Sequence, residues 1–263
     1  MMTQNMAATD PVKRVTACLL IIGDEILSGR TEDANLNYLA KWLNEEGIEL
    51  REVRVIPDVA EVIVPTLNAV RGAFDYVFTT GGIGPTHDDI TADCVAAAFG
   101  VPLEFNAEAE RQLMTRMNGP MTEGRRRMTR IPAGGRTVPN PVSGAPGIEI
   151  GNVFVLAGIP RVMQAMLEEL RGRLQGGRKV QSAALHVFAG ESTMAATLSL
   201  VQDRAPEVAI GSYPFVTDDS YGASLVLRSP DPVALAAALD DLRAELQKNG
   251  FTVHEGEADI HLK

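Results

Sequence analysis

Cysteine is almost absent. The 263 residues include two, Cys18 and Cys94. Both lie in apolar stretches, and their separation fits no zinc pattern. That excludes a disulfide framework and points to buried thiols in a reducing, cytoplasmic compartment. Positive charge is also short: 24 Lys and Arg stand against 34 Asp and Glu, a net charge of −10. Such a surface does not favour nucleic acid or anionic membrane as a partner. No apolar run approaches membrane-spanning length. The opening residues, MMTQNMAATD, are polar and have no apolar signal core, so residues 1–12 are expected to be disordered. With 45% hydrophobic and 22% charged residues, the rest is ordinary for a globular protein, long enough for one large or two small domains.

Two further absences bear on the most informative stretch, Phe74 to Gly100 (FDYVFTTGGIGPTHDDITADCVAAAFG). Phe74 to Thr80 is an aromatic and β-branched run suited to a buried strand. Gly81, Gly82 and Gly84 then form a turn closed by Pro85, and apolar residues at helical spacing follow, ended by Gly100 and Pro102. A strand, a glycine turn and a helix start make an anion site. No lysine follows the glycines, so this is not a P-loop. In the run from Gly82 to His87, histidine stands where a dinucleotide fingerprint needs its last glycine. What remains is a glycine turn followed by Asp88 and Asp89. Either the two aspartates only cap the helix, worth about 1 kcal/mol, or they hold a divalent cation that reconciles them with a phosphate. Mg²⁺ is commonly bound by one or two carboxylates plus phosphate oxygens.

The chain before this stretch places further acids nearby. Val15 to Ile22 reads as a strand, followed at once by Gly23, Asp24 and Glu25. A helix to about Glu46 comes next, capped by Asp33 or Asn35, with Leu36, Leu39, Ala40 and Leu43 inward. Leu50 to Ile56 alternates as a second strand ended by Pro57 and Asp58, and Val62 to Ala73 is helical. The order βαβαβα predicts a parallel sheet with helices on both faces. Ligands bind outside the carboxyl ends of such strands. Asp24, Glu25, Asp58, Asp88 and Asp89 should therefore share one edge with the glycine turn, a constellation that favours a metal–nucleotide site over solvated loops.

After this come a polar helix, Asn106 to Met117, and a basic run from Gly124 to Arg130. The run is either a solvated turn or a set of phosphate contacts at a pocket mouth. Pro139 to Gly147 is a turn-rich loop. Val153 to Leu156 is a strand, and Gly158-Ile159-Pro160 opens a helix with proline at a favoured first position. This second glycine turn either faces the same ligand edge or is simply good helix-start chemistry. Gln175-Gly176-Gly177 reads as a linker. Residues 178–263 follow as a small α+β, ferredoxin-like domain in the order βαββαβ, including a polar turn at Thr217 to Gly222. No GxxG occurs in it, so RNA clamping of the KH kind is not expected; a dimer contact or a lid is.

TTGGIGPTHDDIT, Gly23-Asp24-Glu25, Ile56-Pro57-Asp58, and Asn140 to Gly147 with Gly158-Ile159-Pro160 resemble the molybdopterin-binding domain family over residues 13–174. The GGIGPTHDD form is most similar to its CinA-like branch. The N-terminal domain of eukaryotic FAD synthase is also similar, and GSYPF (Gly211 to Phe215) resembles its hydrolase-like part. The resemblance implies a three-layer, mostly parallel α/β sheet, ligand contacts at Thr80, Gly81, Gly82, Gly84, Asn140, Gly144, Gly158 and Pro160, and a dimer or trimer. In MogA-type members two acids serve the joining of AMP to molybdopterin with Mg²⁺, and these fall on Asp58 and Asp89. CinA-like members resemble pyrophosphatases of ADP-ribose or related dinucleotides. The resemblance therefore implies a hydrolase of an AMP-containing compound such as ADP-ribose or FAD, using Mg²⁺, Mn²⁺ or Co²⁺. The alternatives it leaves are molybdopterin binding or adenylylation, and non-catalytic nucleotide binding. Full CinA proteins carry a further C-terminal deamidase domain, so deamidation of nicotinamide mononucleotide is not expected of this chain.

Overall fold

A computed structural model of the chain describes residues 14–217 and 220–256. The expected disorder of residues 1–12, and Asp218 and Asp219 in the expected polar turn, lie outside them. The chain divides into two compact units, Met1–Arg178 and Lys179–Lys263.

The first unit contains, in order, β1 (Val15–Ile22), α1 (Asp24–Leu27), α2 (Asn35–Glu45), β2 (Ile48–Ile56), α3 (Ala60–Ala73), β3 (Tyr76–Thr80) and α4 (Thr91–Phe99). There follow β4 (Leu103–Phe105), α5 (Ala107–Arg116), α6 (Glu123–Arg127), β5 (Arg130–Pro132), β6 (Arg136–Val138), β7 (Gly147–Ile150), β8 (Val153–Leu156) and α7 (Pro160–Glu168). Six strands form one sheet in the order β2-β1-β3-β8-β7-β6. The first four are parallel, and β7 and β6 extend the sheet by antiparallel pairing. Separately, β4 pairs antiparallel with β5.

The apolar run of β1 explains the layering. Successive strand side chains point to opposite faces. Cys18, Leu20 and Ile22 pack with Ile63, Leu67 and Val70 of α3 and Val95 of α4. Ala17, Leu19 and Ile21 pack with Leu39, Trp42 and Leu43 of α2 and Met163, Met166 and Leu167 of α7. A strand buried on both sides needs an unbroken apolar sequence, which VTACLLII supplies. Both cysteines are free and buried.

The second unit runs β9 (Gln181–Val187), α8 (Glu191–Arg204), β10 (Ala209–Val216), β11 (Tyr221–Ser229), α9 (Pro232–Lys248) and β12 (Val253–Glu255). Its four-stranded sheet, β10-β11-β9-β12, is antiparallel throughout. Leu185, Val187, Leu225 and Leu227 of the sheet form a core with Met194 and Val201 of α8 and Leu242 and Leu246 of α9. Among the described residues no helix is long and apolar enough to cross a membrane.

Candidate functional site

Because β2, β1, β3 and β8 run parallel, they end at a common edge. Asp58 follows β2, Gly23 and Asp24 follow β1, Gly81 follows β3, and Gly158 follows β8. The glycine turn is fixed from three directions. The Gly81 N–H donates to the Leu156 carbonyl at 3.2 Å, and the Thr91 N–H donates to the Gly82 carbonyl at 3.0 Å. The Thr91 hydroxyl donates to the Gly81 carbonyl at 3.0 Å. Gly81 and Gly82 have φ of +100° and +66°, which side chains rarely adopt. A Cβ on Gly82 would also collide with the side chain of Thr91.

Helix α4 starts later than the sequence predicts. Its N-cap is Ile90, with no side-chain cap, and its first residue is Thr91. Neither aspartate caps it, which corrects the capping alternative. The Asp89 carboxylate is instead held within its own turn, accepting from the Thr86 N–H at 2.8 Å and the Thr86 hydroxyl at 2.6 Å. The helix begins where Thr91 bonds back to the glycine turn. Its opening N–H groups have no side-chain acceptor, and among the described residues those of Gly82, Ile83 and Gly84 have none either. The result is a cluster of unpaired donors at the positive end of a helix.

Carboxylates stand against this cluster. Asp58 is half-buried and accepts from the Asp24 N–H at 3.1 Å. Its Oδ1 lies 3.5 Å from where a Cβ on Gly82 would stand, and the Asp89 carboxylate lies 2.6 Å from the equivalent point on Gly84. Burial pushes the Asp58 carboxyl above its ordinary range, and Glu25, Asp24 and Asp88 add to the shift by repulsion while the Asp24 N–H opposes it. Asp24, Glu25 and Asp88 are exposed. Among the described residues no three His, Cys, Asp or Glu side chains are grouped to hold a metal ion by themselves. The donors nevertheless fit a hard cation in company with a phosphate, since Mg²⁺ takes few protein carboxylates and fills its shell with phosphate and water.

The other expected contacts divide. Gly158 adjoins the glycine turn, 3.3 Å separating a Cβ placed on it from the Gly81 Cα. Its carbonyl accepts from the Asn35 side-chain amide at 2.7 Å, so Asn35 ties the start of α2 to this turn and Asp33 takes the Leu36 N–H at 2.9 Å. Pro160 is exposed at the first position of α7. Thr80 is buried on β3 with its hydroxyl unpartnered among the described residues. Asn140, by contrast, is engaged in its own loop. Its amide donates to the Ser143 hydroxyl and the Ala145 carbonyl, and its oxygen accepts from the N–H groups of Val142 and Ser143. Gly144 packs against the α5 backbone, 2.7 Å separating a Cβ placed on it from the Gln112 carbonyl.

An open pocket of about 340 Å³, counting space continuous with solvent, adjoins the turn. Gly82, Ile83, Gly84, Asp89 and Ala92 line it together with Arg127, Met128, Arg130, Pro146 and Ile148. The basic run is therefore partly helix α6 and stands at the pocket. Gly124 sits so close to the glycine loop that a Cβ on it would be 3.0 Å from the Pro85 carbonyl. Sequence reasoning left this placement open and missed Thr91, Pro146 and Ile148. Thr91 and Pro146 lie within the stretches that carry the resemblance, but only the fold shows what they line or bond; nothing local marked Ile148.

A family model described as a probable molybdopterin binding domain matches residues 18–175. A second, the FAD synthase middle domain, matches residues 179–255. A probable FAD synthase of Caenorhabditis elegans is 30% identical over 261 residues, covering 88% of this chain and 50% of that protein. A CinA-like protein of Citrifermentans bemidjiense is 36% identical over 201 residues, covering 72% of this chain and 48% of that protein. This chain thus spans about half the length of either relative. The crystal structure of the protein CinA, of unknown function, from Thermoplasma acidophilum superposes with a TM-score of 0.57 at 30% identity, over 61% of this chain and 98% of that one. With this domain followed by an FAD synthase middle domain, the chain belongs to the molybdopterin-binding-domain family, in the form related to CinA-like proteins and FAD synthases.

Proposed function

We propose that the chain is a divalent-metal-dependent hydrolase of the phosphoanhydride bond in an AMP-containing compound such as ADP-ribose or FAD. The observation that carries this reading is a conflict of charge at one turn. Unpaired N–H groups and an uncapped helix start attract phosphate, while Asp58 stands against Gly82 and Asp89 against Gly84. Bound Mg²⁺, Mn²⁺ or Co²⁺, held by Asp58 and Asp89 with Asp24, Glu25 and Asp88 as outlying acids, would offset the phosphate charge. The N–H groups of Gly82 to Gly84 hold a non-bridging oxygen as its charge grows. Asp58 and Asp89 orient the attacking water, whose oxygen bonds to phosphorus while the bond to the bridging oxygen breaks. That oxygen leaves with the electron pair on the second phosphate, and the water's proton passes to solvent. The relationship to proteins named FAD synthase supports a dinucleotide of the FAD type.

The test is incubation of the purified chain with ADP-ribose, FAD or NADH and each of the three metals, with AMP as the readout. AMP that disappears in Asp89→Asn supports the reading. No AMP from any combination would overturn it and turn attention to molybdopterin, whose binding or adenylylation is followed by pterin fluorescence. Tight nucleotide binding without turnover would mark a non-catalytic binder.

A further inference from the structure

Three of the four arginines between Arg125 and Arg130 are engaged by the protein itself. The Arg125 guanidinium donates to the Pro120 carbonyl at 2.8 Å. The Arg126 guanidinium lies 4.4 Å above the ring of Phe105. The Arg130 guanidinium forks onto both oxygens of Asp93, at 3.0 and 2.9 Å. Arg127 differs. It is half-buried and lines the pocket beside Gly82, Gly84 and Asp89. Among the described residues its guanidinium has no hydrogen bond, ion pair or ring contact. Arginine stays protonated at every working pH, and partly burying its charge without a partner costs folding free energy. In an acidic protein with carboxylates near at hand, a half-buried guanidinium held out of every ion pair is poised for an anion that arrives from outside.

We infer that Arg127 is the specificity-determining cation of the pocket, binding the two adjacent phosphates of a diphosphate ligand through its guanidinium fork. The inference rests on reading the β3–α4 turn as a phosphate site, and it adds the residue that would select a diphosphate over a monophosphate. The turn supplies neutral N–H groups and α6 supplies the charge. The contact of Gly124 with Pro85 fixes the spacing between them. A planar fork suits two neighbouring phosphate oxygens better than an ammonium does.

Equilibrium binding of inorganic pyrophosphate and of inorganic phosphate to the full chain, with Mg²⁺, tests this without requiring turnover. Wild type should prefer pyrophosphate. Arg127→Ala should weaken pyrophosphate binding about ten- to hundredfold, the scale of a lost charged hydrogen-bonding partner. Arg127→Lys should recover part of the loss. Arg126→Ala, which removes the same charge from the same helix, should stay within about twofold of wild type because exposed charges are well screened. Unchanged pyrophosphate binding in Arg127→Ala, or an equal loss in Arg126→Ala, would overturn the inference and leave the phosphate reading of the turn standing. Failure of wild type to bind either anion would remove the phosphate reading itself. Loss in Arg127→Ala by a protein that hydrolyses nothing would uphold the inference and sink the proposed reaction.

Discussion

Half-buried beside Gly82 and crowded by Glu25, Asp24 and Asp88, the Asp58 carboxylate carries its charge against the interest of the fold. Its pKa is raised, so the folded state holds the proton more tightly than the unfolded chain does. The penalty is full above the folded pKa and is relieved as pH falls through it. Asp58→Asn should therefore raise the melting temperature at pH 7 while cutting turnover about 100-fold or more. The gap in melting temperature should close as pH drops through the raised pKa, a pattern that melts across a pH series would check. Thr91 makes the opposite case. Fully buried and bonded to the Gly81 carbonyl, it should cost about 1–3 kcal/mol when replaced by valine, because that carbonyl loses its partner. Denaturant unfolding measures this directly. Burial also pushes the Cys18 and Cys94 thiols up to about 11. Neither should react with a thiol reagent at pH 8 until the protein unfolds, and mass spectrometry of labelled native and denatured samples distinguishes the two cases.

At the scale of elements, legibility followed length and locality. β1, β3 and α3 announce themselves because each is a continuous run with its own period and its own punctuation. The three- and four-residue strands β4 to β7 are too short to show alternation, and β4 finds its partner β5 only after two intervening helices. The start of α4 was misplaced because two aspartates after a proline look like caps, whereas a tertiary bond from Thr91 to Gly81 decides where the helix begins. The placement of Asp58 near the glycine turn was legible, since parallel strands put their carboxyl ends together whatever else happens. Arg127, Pro146 and Ile148 were not, because they arrive through a long excursion whose path is set by packing such as Gly124 against Pro85. Capping where it is real is a separate test. Asp231 accepts from the Val233 and Ala234 N–H groups at 2.9 and 3.3 Å at the start of α9. Asp231→Ala should cost about 1 kcal/mol, seen as faster hydrogen exchange in α9 and β9 to β12.

The molecule as a whole is acidic, and its pocket sets Arg127 and Arg130 beside Asp89. Chelation should abolish turnover and added Mg²⁺ should restore it, while anion binding should weaken as ionic strength rises past the range where a Debye length is about 10 Å. Retention of full activity in excess EDTA would exclude a metal requirement. The two units have separate cores, so exchange protection in β1 and β3 should survive Asp231→Ala unchanged. The burial of β1 on both faces has a consequence for sequence drift. From Ala17 to Ile22 no side chain is more than 4% exposed, so this strand has no silent positions: every substitution meets one helical layer or the other. In a selected library of variants, these six positions should be purged to near-identity. The edge strand β10, where Tyr213 and Val216 are 48% and 76% exposed, should fill with neutral variation and give the first foothold for new contacts.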